Sequence, residues 1–262
     1  MNKYLSTVGL NVRWNLYRIL VITLVTAALA GVLVWRYPVG TVVLDENYVN
    51  PKTGETTTLV ASYPRLASVA AESRATIVCA VGFTAVVVVM SLTGCGYGVR
   101  SEYTVRRLRV KERRAVLLWA AYHAVLLVIY WAVLAAVLYG VMHLRLQMDV
   151  PVDYFVYMYG PQSMLLLCYT DTFLHHLLPL RDVAAWGVGI ASVLAAALST
   201  VLFSYRQRRG SFSVMVLLAL AGTIGSFFCG LGENANALLM VLLLGVAGAA
   251  FVMLIGGDKD AA

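Results

Sequence analysis

The chain is short of charge. Only 13% of its 262 residues are Asp, Glu, Lys or Arg, about half the roughly 25% usual for a soluble domain. That shortage excludes a water-soluble fold of this size, which needs more polar surface. Cysteine is scarce, with four in the chain, so a disulfide scaffold is excluded. There is no low-complexity linker and no solenoid-type repeat. Familiar chemical signatures are also missing: the sequence has no Gly-x-x-x-x-Gly-Lys-Ser/Thr loop, no His-Glu-x-x-His, no Gly-x-Ser-x-Gly and no acid pair within an apolar run. Nucleotide hydrolysis and common hydrolase chemistry have no seat here, so the expectation is a non-enzyme.

Hydrophobic residues make up 61% of the chain, against about 45–50% in ordinary domains. Disorder is thereby excluded, and the expected class is an all-α polytopic membrane protein. A spanning helix needs about 20 apolar residues. Stretches without Asp, Glu, Lys or Arg run over 19–35, 75–99, 115–144, 154–170, 183–205, 210–232 and 234–257. The fourth is broken by Gly160, Pro161 and Gln162 and continues through Asp171, His175 and His176 to Pro179.

Charge decides between six and seven spans. If 154–180 does not cross, the N-terminus, the 98–114 connection, the 206–209 turn and the C-terminus share one side. That side carries 14 basic residues and the other six, while nine of the 13 acids fall on the other side. If 154–180 crosses, Arg206, Arg208 and Arg209 change sides and the bias weakens. The expectation is therefore six transmembrane helices over about 19–36, 75–97, 115–143, 183–205, 211–230 and 236–256, with both termini cytoplasmic in a multi-pass protein of the cell membrane. Residues 154–180 become an external re-entrant or interfacial element between spans three and four. Ala28-Leu29-Ala30 looks like a signal cleavage site, but the long aromatic region before it favours a retained first span.

Residues 1–18 place Tyr4, Leu5, Val8, Val12 and Leu16 along one helical face, with Trp14 and Tyr17 suited to headgroups. This predicts an amphipathic interfacial helix on the inner surface. The external loop 38–74 holds turn signals between the β-prone runs 41–44 and 56–60, which predicts a small hairpin. That hairpin either contacts a substrate or caps the bundle. Gly222, Ser226 and Gly230 share a helical face and predict close packing of the last two spans.

Residues 98–114 form the long inward connection, with seven basic and two acidic residues. Read bare, it is an anchor on anionic lipid or a short helix, capped by Ser101 and broken at Val110 and Lys111. The order of a short helix, a break, a basic pair and a long span resembles the coupling helix of ABC-2-type transporter permeases. Glu102, the run from Thr104 to Leu108 and the run from Val110 to Arg114 fill the family's motif places. Arg109 departs from the small residue or proline common there. The external element also departs, because family members place re-entrant helices between spans five and six.

The resemblance implies a permease subunit driven by a separate cytoplasmic ABC ATPase, which holds the ATP and Mg, and a second permease chain as homodimer or heterodimer. It implies docking through Ser101, Glu102, Tyr103, Arg106, Arg107, Leu108 and Arg109, and export of a hydrophobic or amphiphilic substrate such as a peptide, drug or lipid. The chain itself would need no metal or cofactor. Lipids are the remaining expected partner; nucleic acid is not expected, because the positive charge follows the membrane pattern. The alternatives are a non-transporting anchor or regulatory subunit, and an ATP-independent channel or carrier.

A few polar or aromatic residues complete the candidate substrate path. His123 either bonds a neighbouring helix or packs in the core. Tyr130 and Trp131 either line a cavity or pack the bundle. Asp171 and His175, four apart, would share a helical face beside His176. This group either contacts substrate or protons at the outer vestibule, binds metal with His143, or simply solvates a helix end. Cys168 and Cys229 are a candidate outer pair.

Overall fold

The computed structural model describes residues 3–37, 40–49, 56–63, 69–93, 112–149, 171–179, 182–228 and 233–256. Its elements in chain order are α1 (Lys3–Arg36), β1 (Gly40–Val49), β2 (Thr56–Tyr63), α2 (Val69–Glu72), α3 (Ala75–Leu92), α4 (Glu112–Asp149), α5 (Thr172–Leu177), α6 (Val183–Gln207), α7 (Met215–Phe228) and α8 (Glu233–Gly256). Five of them (α1, α3, α4, α6 and α8) are long and apolar enough to cross a bilayer. The chain is a multi-pass helical membrane protein. α7 has 14 residues, about 21 Å of helix at 1.5 Å per residue, against a hydrocarbon core of about 30 Å.

Helix directions follow from paired residues. Asn11 meets His123 and Val34 meets Arg145, so α1 and α4 run parallel. Asn15 meets Thr93, and Gly82 faces Thr26, so α3 is antiparallel to α1. His123 meets Thr200 and Trp119 meets Arg208, which sets α6 antiparallel to α4. The segment 150–181 therefore begins and ends on the same side of the bundle. Gly222 faces Leu243 and Gly225 faces Leu239, so α7 and α8 form an antiparallel hairpin. Gly222 of the small-residue face thus packs closely, while Gly230 lies outside the described residues.

α6 is the hub, packing on α3, α4, α7 and α8. In its apolar window 61% of residues are buried, against 28–44% in the other four long helices. Its sequence explains the position. Ala191, Ser192, Ala195, Ala196, Ala197, Ser199 and Thr200 are all buried, and small side chains let neighbouring backbones approach. The hydroxyls of Ser192, Ser199, Thr200 and Ser204 donate to carbonyls one turn back, which satisfies their protons within α6.

One expected boundary is corrected. α1 is continuous from Lys3 to Arg36, where the sequence reading separates a surface helix over 1–18 from a span starting at 19. Asn11 and Asn15 have no exposure and Ile19 has 1%, so the face i, i+4, i+8 faces protein, and no break separates the two halves. The hairpin is present: β1 and β2 pair antiparallel from Gly40↔Tyr63 to Val49↔Thr56, with register shifts around Asp45. It follows α1 directly, so it marks the end of the bundle opposite Lys3.

Candidate functional site

Two features in the bundle interior carry chemistry, one near each end. Near the Lys3 end, a chain of hydrogen bonds crosses four helices. The Thr93 hydroxyl, at the end of α3, reaches Asn15 Oδ1 on α1 and also lies 2.7 Å from the Val89 carbonyl. Asn15 Nδ2 donates to Asn11 Oδ1 at 2.7 Å. Asn11 Nδ2 lies 3.4 Å from His123 Nε2 on α4. His123 Nδ1 lies 3.0 Å from Thr200 Oγ1 on α6, and that hydroxyl donates to the Ala197 carbonyl at 2.8 Å. A neutral imidazole with its proton on Nδ1 satisfies both contacts, accepting from Asn11 and donating to Thr200. His123 is 1% exposed. Buried polar groups in a bilayer need such partners because no water is available to them.

At the hairpin end, Asp171 is the knot. Its Oδ1 accepts from the backbone N–H groups of Phe173 and Leu174 at 3.0 and 3.1 Å, capping α5. Its Oδ2 accepts from Ala70 N–H at 3.0 Å, tying α5 to the start of α2. Burial raises its pKa, opposed by these three backbone donors. Asp182 caps α6 through Ala184 and Ala185 N–H and lies 3.3 Å from His175 Nε2. The Ala185 N–H, with help from His175, holds its carboxyl below the ordinary value. His176 Nδ1 donates to the Thr172 carbonyl at 2.6 Å, and its Nε2 accepts from Asn236 on α8 at 3.0 Å.

Below this polar layer lies a cavity of about 380 Å³ between α4, α5, α6 and α7. Trp131, His176, Trp186, Gly189, Ile190 and Phe227 are among its walls. Trp131 stacks on Phe227 with centroids 4.6 Å apart and meets Tyr130 edge-on at 5.3 Å. Such contacts add to area burial and fix ring positions.

The sequence-derived candidates separate as follows. Trp131 and His176 line the cavity. Tyr130 does not; it is fully buried and donates to the Cys79 carbonyl at 2.8 Å. His123 both packs and bonds its neighbours. The expected shared face of Asp171 and His175 gives way to a cap, because Asp171 precedes the helix and turns back onto its N–H groups while His175 turns to Asp182. Among the described residues no three of His, Cys, Asp and Glu gather as metal ligands. Cys79 is buried and free; Cys95, Cys168 and Cys229 lie outside the described residues, as do Ser101, Glu102, Tyr103, Arg106, Arg107, Leu108 and Arg109. The sequence reading missed Asn11, Asn15, Thr93 and Thr200. The available signal was the i, i+4 spacing of the two asparagines in register with Ile19.

No protein-family model, curated protein or solved structure matches the chain.

Proposed function

We propose that the chain is the membrane subunit of an ATP-driven transporter of the ABC-2 type, moving a hydrophobic or amphiphilic substrate outward with a second permease chain. It has six spans, lies in the cell membrane and keeps both termini cytoplasmic. The observation that carries this reading is the polar chain. The connection that carries the motif joins α3 to α4 in sequence, and Thr93, at the end of α3, is the first link of the chain that reaches α1, α4 and α6. A push on the segment would enter the bundle through bonds spanning four helices.

The fifth expected span, over 211–230, is carried by α7. Residues 211–213 are outside any helix, and Phe212 packs on Phe203 of α6 at 5.5 Å. The 14-residue helix rises about 21 Å, and Phe212 anchors the chain that enters it. Orientation rests on the charge map, which the shared level of Asn11, His123 and Thr200 supports by grouping the N-terminus, 94–111 and Arg206 on one side.

Co-purification from native membranes tests the proposal. A cytoplasmic ATPase comes down with the wild type and is lost when Tyr103 and Leu108 are both changed to Asp. An ATPase absent from the wild-type preparation, or retained by the double variant, overturns the coupling role. Separately, Gln207→Cys should resist a membrane-impermeant thiol reagent in intact cells; labelling there reverses the orientation.

A further inference from the structure

The cavity between α4, α5, α6 and α7 is walled mainly by apolar side chains, with the indoles of Trp131 and Trp186 among them. Its polar wall residue, His176, has both ring nitrogens engaged, one by the Thr172 carbonyl and one by Asn236. Such walls favour hydrocarbon along the inserted length of a guest. The mouth faces sideways: Val128 is 56% and Ile190 58% exposed, and both lie on helices long enough to cross the bilayer. Around such a helix the medium at that depth is lipid tails. The walls are also firm, since Trp131 is fixed between Phe227, Tyr130 and Phe83. An apolar hollow of this volume falls in the range of ligand pockets, about 300–1,000 Å³. Its upper edge is polar. Asp182 and His175 pair just beyond it, and Trp186, at the mouth, stands one helical turn from Asp182, the arrangement that an amphipathic ring takes near headgroups.

We infer that this cavity binds one acyl chain of a phospholipid from the leaflet on the hairpin side, with the headgroup at the level of Asp182 and His175. As a binding site it stands alone. As the substrate's place of entry, making the substrate a lipid-like amphiphile, it rests on the transporter reading above.

Gly189 supplies the test. A Cβ there would meet nothing closer than Phe227 Cζ at 4.0 Å, so a larger side chain grows into the hollow without disturbing the backbone. The full chain, in phosphatidylcholine nanodiscs carrying a trace of phosphatidylcholine with a diazirine in one acyl chain, is irradiated and its adducts mapped by mass spectrometry. Adducts should concentrate on Trp131, Ile190 and Phe227 relative to Leu24, an exposed apolar residue of α1. Gly189→Leu, and independently Ala132→Phe from the facing helix, should lower cavity adducts by about tenfold, the loss expected from displacing roughly two methylenes, while Leu24 adducts persist. Even labelling over all apolar surface, or no reduction in either folded variant, overturns the inference. So does an Ile190→Cys disulfide linking two copies in the membrane, because a second chain would then occupy the groove. No ATPase is present in this experiment, so its outcome and that of ATPase capture are read separately.

Discussion

The crossing of α1 and α3 allows a quantitative test of the packing. A Cβ placed on Gly82 would lie 2.9 Å from Thr26 Cβ and closer still to its Oγ1 and Cγ2. Carbon atoms rest comfortably at about 3.5–4.0 Å, so Gly82→Ala forces the helices apart by about 1 Å or twists Thr26 off its rotamer. Thr26 is β-branched, buried and within its own helix, and its side chain has no slack. Overpacking of this kind costs about 1–3 kcal/mol, although alanine is intrinsically the better helix former by about 1 kcal/mol. Gly245 provides the contrast, because a Cβ there meets nothing within 4 Å. Thermal unfolding in detergent, followed by size-exclusion of a fluorescent fusion, should show Gly82→Ala falling by several degrees and Gly245→Ala unchanged or raised. Removing the obstacle reverses the loss: Thr26→Gly with Gly82→Ala should be more stable than the two single changes predict by at least about 1 kcal/mol. Equal stability of Gly82→Ala and Gly245→Ala, or strict additivity of the pair, refutes the close crossing.

Three further outcomes follow from the polar groups. Asp171→Ala strands three backbone N–H groups and should cost about 2–4 kcal/mol in the same assay, whereas Asp171→Asn keeps the α5 cap and should lose about half of that. The Asp171 carboxyl is shifted upward by burial, so its stabilising contribution is full below the unfolded pKa and is withdrawn as pH rises through the folded one. Asp182 is shifted downward and runs oppositely, its contribution being lost as pH falls through its folded pKa. In unfolding midpoints followed upward from acid pH, Asp171→Asn should therefore remove a destabilising contribution to the slope and Asp182→Asn a stabilising one, and a change of the opposite sign in either variant refutes the assignment. His123→Phe breaks two interhelical bonds and should cost about 1–3 kcal/mol, since such bonds contribute about 0.6 and at most about 1.7 kcal/mol each; a double-mutant cycle with Asn11→Ala isolates the shared part.

The long helices were legible because a crossing must be apolar over its whole length, and runs free of charge mark that directly. The hairpin was legible for a local reason: threonine and valine runs flank turn residues at 50–54. α1 was misjudged because Asn11, Arg13, Asn15 and Arg18 make its first half read as surface. Only two of these four face protein, and what makes them acceptable there is His123, 112 residues along the chain, and Thr93. Such long-range satisfaction leaves no trace in spacing. The same holds for Asp171, whose i, i+4 relation to His175 was visible while its bond to Ala70 was not. The cavity likewise lies where Ala132 and Ala135 of α4 meet Ala185 and Gly189 of α6, a property of two helices together.

Arg145 has a mechanical consequence. Its guanidinium donates to the carbonyls of Val34 and Trp35 at 2.7 and 2.5 Å, closing the C-terminus of α1 from the neighbouring α4. The Asn11–His123 contact ties the same two helices near the opposite face of the bundle, and Gly31 lets them lie close between those points. Fastened at both ends, α1 and α4 behave as one stiff spar, so rearrangement within the chain must occur at the joints this spar makes with α3 and α6.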